Sequence, residues 1–379
     1  MSTIKPYQIN IPDHKIKRLT QKLALADFRD QDDPEEGSWI RGPPVAEIRR
    51  LAEVWQITYD WRDVEARLNQ LPHFMMSTNS ITLGKVDLHF IHKRSIQPDA
   101  IPLLFLHGWP GSFYEVSKVL DPLRGFGLEH HAEVYDKLMR ELGYHRYVIQ
   151  AADVGGIISR YMVKMFGPSR CLAHHTNTPL PTKPTEDAHP EIHSQSLSTP
   201  LTDGEQRGLT RTAAFEKEGS GYYKVQSTKP ITIGYSLRDS PVGLLAWIYE
   251  KLHDWSDGYQ WTDEEVLTWV SIYYFSTPGP DASNKVYYTF DHCDPPAFAA
   301  AGDYVNVPLG ISRFSNDLVL LPKIWNHTLG PIVYEAEHEK GGHFTAWEQP
   351  DAIVGDLRSM FGESGVGPMV QKSLQDVSN

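Results

Sequence analysis

The feature that most constrains this chain is the segment Tyr147-Val-Ile-Gln-Ala-Ala-Asp-Val-Gly-Gly156, where an apolar run ends at an aspartate between small residues. Ala151 and Gly155 flank Asp153 at the spacing of a nucleophile elbow, the strained turn between a parallel strand and a helix. Such a turn lifts one side chain clear of the backbone at the carboxyl end of the strand. The segment therefore predicts an alternating α/β core that presents Asp153 as a nucleophile.

An aspartate in this position narrows the chemistry. A carboxylate that attacks a saturated carbon forms an ester that water can cleave, so turnover is possible on an epoxide or an alkyl halide. A serine that attacked the same carbon would leave a stable ether, and ordinary esterase or lipase chemistry is not expected. The alternative is that Asp153 only caps the following helix, because aspartate is a favoured N-cap.

Composition excludes several classes of protein. The chain has 379 residues and a formal net charge of -12, without a run of Lys or Arg, which argues against nucleic acid as a partner. Cys171 and Cys293 are its two cysteines, so neither a disulfide framework nor a Cys-x-x-Cys zinc site is expected. The first residues lack a basic-then-apolar signal, and no apolar stretch approaches the ~20 residues that span a bilayer. We therefore expect a cytoplasmic location and no membrane span.

The hydrophobic pattern divides the chain into four segments. Amphipathic stretches joined by Pro- and Asp-rich connectors predict a helical extension over 1–80. Strand-like runs predict a mostly parallel sheet with helices on both faces over 81–180 and 301–379, with a final helix at about 350–361. Residues 181–300, rich in Pro, Tyr and Trp, predict a helical lid inserted into this core.

One strand of the alternating pattern is missing. Residues 114–122 and 129–142 have the pattern of two consecutive helices, and only 123–128 lie between them. A short linker with two glycines cannot supply a buried strand of typical length. We therefore expect a core strand to be absent near 124–128.

A base and a second acid are expected at the same edge of the sheet as Asp153. His343 follows the last strand-like run and would activate water, while Asp317 follows the preceding run and would orient the histidine ring. A metal at His338 and His343 is not favoured, because five positions and two glycines separate them. The turn His107-Gly-Trp-Pro-Gly111 presents backbone amides to an anion, or is an ordinary strand-to-helix turn.

The motifs Phe105-Leu-His-Gly-Trp-Pro-Gly-Ser-Phe113, the elbow and Lys340-Gly-Gly-His-Phe344 together resemble those of the microsomal-type epoxide hydrolases, especially the soluble fungal kind. The resemblance runs along nearly the whole chain. It implies an α/β-hydrolase fold with a helical lid and an N-terminal segment that clasps the lid. It also implies hydrolysis of epoxides to vicinal diols without a cofactor or a metal, and both detoxification and the processing of a secondary metabolite fit.

The resemblance assigns roles to five residues of the core. Asp153, Asp317 and His343 match the nucleophile, the charge-relay acid and the base of the family. The backbone amides of Trp109 and Val154 would form the oxyanion hole for the tetrahedral intermediate.

Two lid tyrosines of the family, which protonate the epoxide oxygen, match Tyr222 and Tyr287. Each has a tyrosine beside it, Tyr223 and Tyr288, so the register is open by one residue. A phenol suits this step because the opening of an epoxide creates an alkoxide that needs a proton. The alternative is that these tyrosines only contribute aromatic packing.

This chain departs from the family pattern in two places. The elbow has Ala151 where the family usually has glycine, and the segment near 124–128 is what remains of a core strand and its loop. Loss of an interior strand leaves unpaired backbone groups on its neighbours. An inactive relative or an incompletely predicted gene product is therefore an alternative to an active hydrolase.

Two other classes remain open from the sequence. A haloalkane dehalogenase would share the aspartate but release halide, and a binding protein would keep the cleft without turnover. The sequence does not identify the physiological epoxide, and it is compatible with a homodimer.

Overall fold

The structure is a computed structural model, and it describes residues 3–30, 37–80, 84–97, 99–116 and 128–376. The described residues form two separate sheets, one of three and one of five strands, surrounded by helices. Within these ranges, no helix is both long and apolar enough to cross a membrane.

The N-terminal part combines three helices with a small antiparallel sheet. Its elements are β1 Thr3–Pro6, α1 Asp13–Ala24, α2 Val45–Ile57, α3 Trp61–Leu68, β2 His73–Ser80 and β3 Gly84–Ile91. The three helices confirm the prediction for this segment, but β1 and β2 within 1–80 were not predicted. Short strands such as these depend on their pairing, here in the order β1-β2-β3, more than on local propensity. The boundaries of the N-terminal segment stay a prediction.

Five parallel strands form the core sheet in chain order. They are β4 Leu103–Leu106, β5 Tyr147–Ala151, β6 Cys171–Thr176, β7 Leu309–Phe314 and β8 Ile332–His338, and helices α4 Phe113–Val116, α5 Leu128–Glu141 and α6 Asp153–Phe166 connect the first three. Every residue of β5, β6 and β7 is buried, as expected for parallel strands covered on both faces. The carboxyl ends of these parallel strands lie at one edge, so the loops that follow them meet there.

The predicted absence of a strand near 124–128 falls largely outside the described residues, which resume at Leu128 with the start of α5. In the described part of the chain, β4 pairs with β5 alone, and no ladder joins β1–β3 to β4–β8. A cavity of about 660 Å³ lies between the two sheets and is lined by residues of both, including Leu88 and Leu106. These two side chains belong to the same buried apolar cluster. Both sheets therefore contribute residues to one apolar core.

The segment between β6 and β7 is helical, as predicted. Its elements are α7 Pro190–Ser198, α8 Asp203–Ala214, a π-helical turn Phe215–Gly219, α9 Gly221–Thr228, α10 Pro230–Asp239, α11 Pro241–Asp254, α12 Asp263–Phe275, a 3-10 turn Ala282–Asn284, α13 Lys285–His292 and α14 Ala297–Ala301. The N-terminal helices hold this lid: the buried Trp55 indole donates to the Ser271 hydroxyl at 3.0 Å, and Arg50 forms an ion pair with Asp263 at 2.6 Å. The N-terminal segment thus contacts the lid as the resemblance implied.

The last part of the chain adds three helices. A 3-10 turn Lys323–Thr328 precedes β8, which is followed by α15 Thr345–Glu348, α16 Pro350–Phe361 and α17 Gly367–Gln375. The prediction that α16 is the final helix is wrong. Val370 of α17 is buried against Val148 of β5 and Leu172 of β6, and this long-range contact leaves little signal in the local sequence.

A glycine in the first turn of α6 allows the helix to start close to β4. A Cβ atom at Gly155 would lie 2.3 Å from the carbonyl oxygen of Leu106. That oxygen belongs to the backbone and cannot move aside without disturbing the strand. The elbow therefore requires glycine here.

We expect Gly155→Ala to lower the free energy of unfolding by about 1–3 kcal/mol, the usual cost of an overpacked core. The matched control is Gly355→Ala in α16, where a Cβ would meet nothing within 4 Å and should stabilise the helix by about 0.5–1 kcal/mol. Denaturant unfolding measures both changes. A Gly155→Ala variant as stable as the wild type would contradict the close approach.

Candidate active site

Asp153 stands at the turn from β5 to α6 with a φ of +50°, and no other non-glycine residue in the described ranges has a positive φ. Such a backbone conformation is strained and persists where its surroundings hold it in place. Gly108, in the turn after β4, lies directly against it, since a Cβ there would be 2.3 Å from the Asp153 Cβ. The strained turn that the elbow pattern predicts is thus present.

The Asp153 side chain does not cap α6. Ala152 occupies the N-cap position and makes no side-chain hydrogen bond. Instead, Asp153 Oδ1 accepts a hydrogen bond from the backbone amide of Trp109 at 2.7 Å, and the Val154 amide lies near enough to lower the pKa of the carboxylate. Both amides predicted for the oxyanion hole therefore lie at the aspartate.

The two oxygens of Asp153 have different surroundings. Oδ1 faces the Trp109 amide, whereas Oδ2 lies 3.8 Å from His343 Nε2. Burial raises the pKa of Asp153, while the His343 charge and the two backbone amides oppose this by stabilising the carboxylate. The Trp109 amide holds one oxygen, and the other oxygen faces the histidine.

The loops after β7 and β8 bring the predicted acid and base together. His343 Nδ1 lies 3.0 Å from Asp317 Oδ1, which also accepts from the Leu318 amide at 2.7 Å. Both side chains are buried. A carboxylate on Nδ1 fixes the ring orientation and directs Nε2 towards Asp153. The structure thus arranges the three residues in the order in which the sequence analysis placed them.

The pKa of His343 reflects the acids around it. Burial lowers this pKa, but the hydrogen bond and charge of Asp317, with the charges of Asp153 and Glu115, outweigh burial and raise the pKa to about 9. While Asp153 carries its charge, the histidine is therefore mostly protonated at neutral pH. A change that neutralised Asp153 would remove one of the stabilising charges.

Lid residues hold the loop that carries His343. The His343 amide donates to the carbonyl oxygen of Trp255 at 2.7 Å, and the Gly341 amide donates to Asp257 Oδ2 at 2.8 Å. The backbone amide of Asp257 also donates a hydrogen bond, to Glu348 Oε2 of α15 at 2.7 Å. The sequence analysis missed these contacts, because the pattern of residues does not indicate which lid loop meets the histidine loop.

The two lid tyrosines meet at the Trp109 side chain. Tyr222 stacks on the Trp109 indole, with ring centroids 5.1 Å apart and an interplanar angle of 9°, and Tyr287 meets both rings edge-on. Burial raises the pKa of both phenols and the Asp153 charge adds to it, so both stay protonated at neutral pH. Among the described residues, the Tyr287 hydroxyl has no partner at normal hydrogen-bond distance, although Tyr222 is near enough to affect its pKa.

The neighbouring tyrosines have other environments. The Tyr223 hydroxyl donates to the Asp291 carboxylate, while Tyr288 is 42% exposed and stacks on His292. Tyr222 and Tyr287 are the two of the four whose rings contact Trp109. The geometry thus favours this register.

A further buried acid, Glu115 of α4, lies near Asp153 and His343 and was not predicted. The sequence did contain a signal for this residue, because Glu115 is an acid within the otherwise apolar run that follows the glycine-rich turn. His338, the other histidine of the rejected metal site, hydrogen-bonds Asp356 at 2.7 Å and does not converge with His343. In the described part of the chain, no group of three or more His, Cys, Asp and Glu side chains could hold a metal ion.

Comparison with known proteins gives consistent matches. Residues 4–116 match the family model described as epoxide hydrolase N terminus. A protein of Stigmatella aurantiaca, named as a candidate epoxide hydrolase, is 32% identical over 399 aligned residues that cover 94% of this chain and 84% of the relative. The Aspergillus niger epoxide hydrolase structure matches with a TM-score of 0.79 and 30% identity, over 94% of this chain and 95% of the other. Juvenile hormone epoxide hydrolase of Bombyx mori, at 24% identity, shares the fold with a TM-score of 0.82 over 100% and 96% of the two chains.

The parallel sheet, the aspartate elbow and the helical lid define an enzyme of the α/β-hydrolase fold, as predicted. The chain belongs to the epoxide hydrolase family. This confirms the family resemblance, and the dehalogenase alternative is not favoured.

We expect the pKa of His343, about 9 in the wild type, to fall by on the order of 1 pH unit in Asp153→Asn, because one carboxylate that stabilises the imidazolium is removed. NMR titration of the ring protons measures this. Asp291→Asn, whose partner is Tyr223, serves as the control and should leave the pKa unchanged. An unshifted pKa in Asp153→Asn would show that the two groups are not coupled.

Proposed function

We propose that this chain hydrolyses small epoxides to vicinal diols through an ester on Asp153. The observation that carries the proposal is the divided environment of this carboxylate, with Oδ1 on the Trp109 amide and Oδ2 facing His343. Oδ2 serves as the nucleophile, and Oδ1 becomes the carbonyl oxygen of the ester. This arrangement suits an intermediate that is formed at one oxygen and activated for hydrolysis at the other.

In the first step, Asp153 Oδ2 attacks a carbon of the epoxide. The carbon–oxygen bond of the ring breaks, its electron pair moves to the ring oxygen, and Tyr222 or Tyr287 gives that oxygen a proton. Both phenols are protonated at neutral pH and can act as general acids. An alkyl halide needs no proton donor, so the tyrosine pair favours an epoxide.

In the second step, the loss of charge on Asp153 lowers the pKa of His343. The imidazolium releases its Nε2 proton to solvent, from which it is recovered when the carboxylate is restored, and Nε2 becomes available as a base. His343 takes a proton from water, whose oxygen attacks the ester carbon. The negative charge develops on Oδ1, against the amides of Trp109 and Val154. The diol alkoxide leaves and takes the proton from His343, and the new carboxylic acid returns a proton to the tyrosine through solvent.

Membership of the epoxide hydrolase family and the pair of proton-donating tyrosines support small epoxides as the substrate class. A cytoplasmic location, a homodimer and the domain boundaries stay predictions of the sequence analysis.

Diol formation from styrene oxide tests the proposal, with Asp153→Asn as the inactive reference. We expect Tyr222→Phe and Tyr287→Phe each to lower kcat/KM, and the double variant to lose ~10²–10⁴-fold, the usual contribution of a general acid. Tyr223→Phe and Tyr288→Phe are the matched controls and should retain activity, because their side chains have other partners. Equal losses in all four single variants would contradict the assignment of Tyr222 and Tyr287 as the proton donors. Diol formation by Asp153→Asn would contradict the assignment of Asp153 as the nucleophile.

A further inference from the structure

Glu115 lies behind the turn that presents the Trp109 amide. Its side chain is buried, with 6% of the residue exposed. A Cβ on Gly111 would lie 2.1 Å from Glu115 Oε2, so the carboxyl group rests against the backbone of this turn. Gly108 of the same turn rests against Asp153. Two acids therefore pack against glycines of this turn, Glu115 against Gly111 and Asp153 against Gly108.

The short helix that carries Glu115 also contacts the histidine side of the site. The neighbouring Tyr114 ring lies 4.7 Å from the Trp347 ring, centroid to centroid. Trp347 belongs to α15, which begins two residues after His343. The helix that carries Glu115 therefore contacts α15 next to the histidine loop through Tyr114, and Glu115 itself packs against the turn after β4.

Three charged groups face Glu115: His343, Asp153 and Glu348. Burial raises the pKa of Glu115 to about 8, with His343 opposing and the two carboxylates adding to the shift. At pH 7 the group is then mainly a neutral acid, with one O–H donor and an acceptor oxygen.

In the part of the chain that the structure describes, no protein group hydrogen-bonds the Glu115 carboxyl, and its oxygens are not among the fully enclosed polar atoms without a partner, so they keep a small accessible surface. A buried polar group without a partner is costly, and water commonly fills that role. A buried water needs two to four polar partners, and Glu115, His343 Nε2 and the ester on Asp153 offer three. The 3.8 Å between His343 Nε2 and Asp153 Oδ2 is too long for a direct hydrogen bond but allows one water to contact both residues.

We propose that Glu115 holds the water that hydrolyses the Asp153 ester. This inference rests on the proposed function and adds a residue to its second step. One hydrogen of the water points to His343 Nε2 and is transferred as a proton, while the other is held by the acceptor oxygen of Glu115. The lone pair of the water then faces the ester carbon. A neutral acid suits this place, because a carboxylate would repel the negative charge that develops on Asp153.

Single-turnover experiments with styrene oxide separate the two steps. Acid quenching followed by intact-protein mass spectrometry follows the ester, and diol analysis follows its hydrolysis. In Glu115→Leu, we expect the ester to form at the wild-type rate and to be hydrolysed ~100-fold more slowly, so that the adduct accumulates. In Glu115→Gln, most of the hydrolysis rate should be retained at pH 7, because a neutral amide offers a donor and an acceptor in a similar shape.

Equal slowing of both steps in Glu115→Leu would indicate a purely structural role and overturn the inference, and so would an unchanged hydrolysis rate. A wild type that forms neither ester nor diol would instead refute the proposed function itself.

If Glu115→Leu does not fold, the pH dependence of hydrolysis in Glu115→Gln decides. The wild-type rate should fall as pH rises through the pKa of Glu115, which burial raises, and this decrease should be absent in Glu115→Gln. The same decrease in both proteins would overturn the inference.

Discussion

The hydrogen bond from the Trp109 amide to Asp153 Oδ1, 2.7 Å long, is the contact on which the arrangement of the site depends. It joins the turn after β4 to the elbow after β5, and it is possible because Gly108 and Gly155 allow the backbones to approach. The bond fixes the plane of the carboxylate in a residue with a strained backbone. As a result, the second oxygen faces His343, and the proposed reaction divides its two steps between the two oxygens.

Electrostatics connects these two steps. Burial lowers the pKa of His343, but Asp317, Asp153 and Glu115 raise it by more. Conversion of Asp153 to a neutral ester removes one of these charges at the moment when a base is needed. In the proposed reaction, Asp317 orients the ring through its contact with Nδ1 while the proton affinity of Nε2 changes. The chemistry of the first step thereby prepares the base for the second.

The sequence predicted those parts of the site that follow from local pattern. The elbow, the buried strands and the positions of Asp317 and His343 could be identified because each depends on a short run of residues or on chain order. The register of Tyr222 and Tyr287 could not, because it depends on which side of each helix meets Trp109. Glu115 and the Asp257–Glu348 contact were missed for a similar reason, since both depend on residues brought together by packing. The strand pairing of β1 and β2 and the docking of α17 are long-range contacts of the same kind.

In the proposed reaction, the oxygen that is added to the epoxide comes from the Asp153 carboxylate. Water then supplies the oxygen that replaces it in Asp153. Single turnover in H₂¹⁸O with enzyme in excess tests this most directly, followed by mass analysis of the diol and of the peptide that contains Asp153. The account predicts unlabelled diol and one ¹⁸O atom in the Asp153 carboxylate, because water attacks the ester carbon and the original Oδ2 leaves with the product. Labelled diol with an unlabelled peptide would show that water attacks the epoxide directly, and would contradict the account.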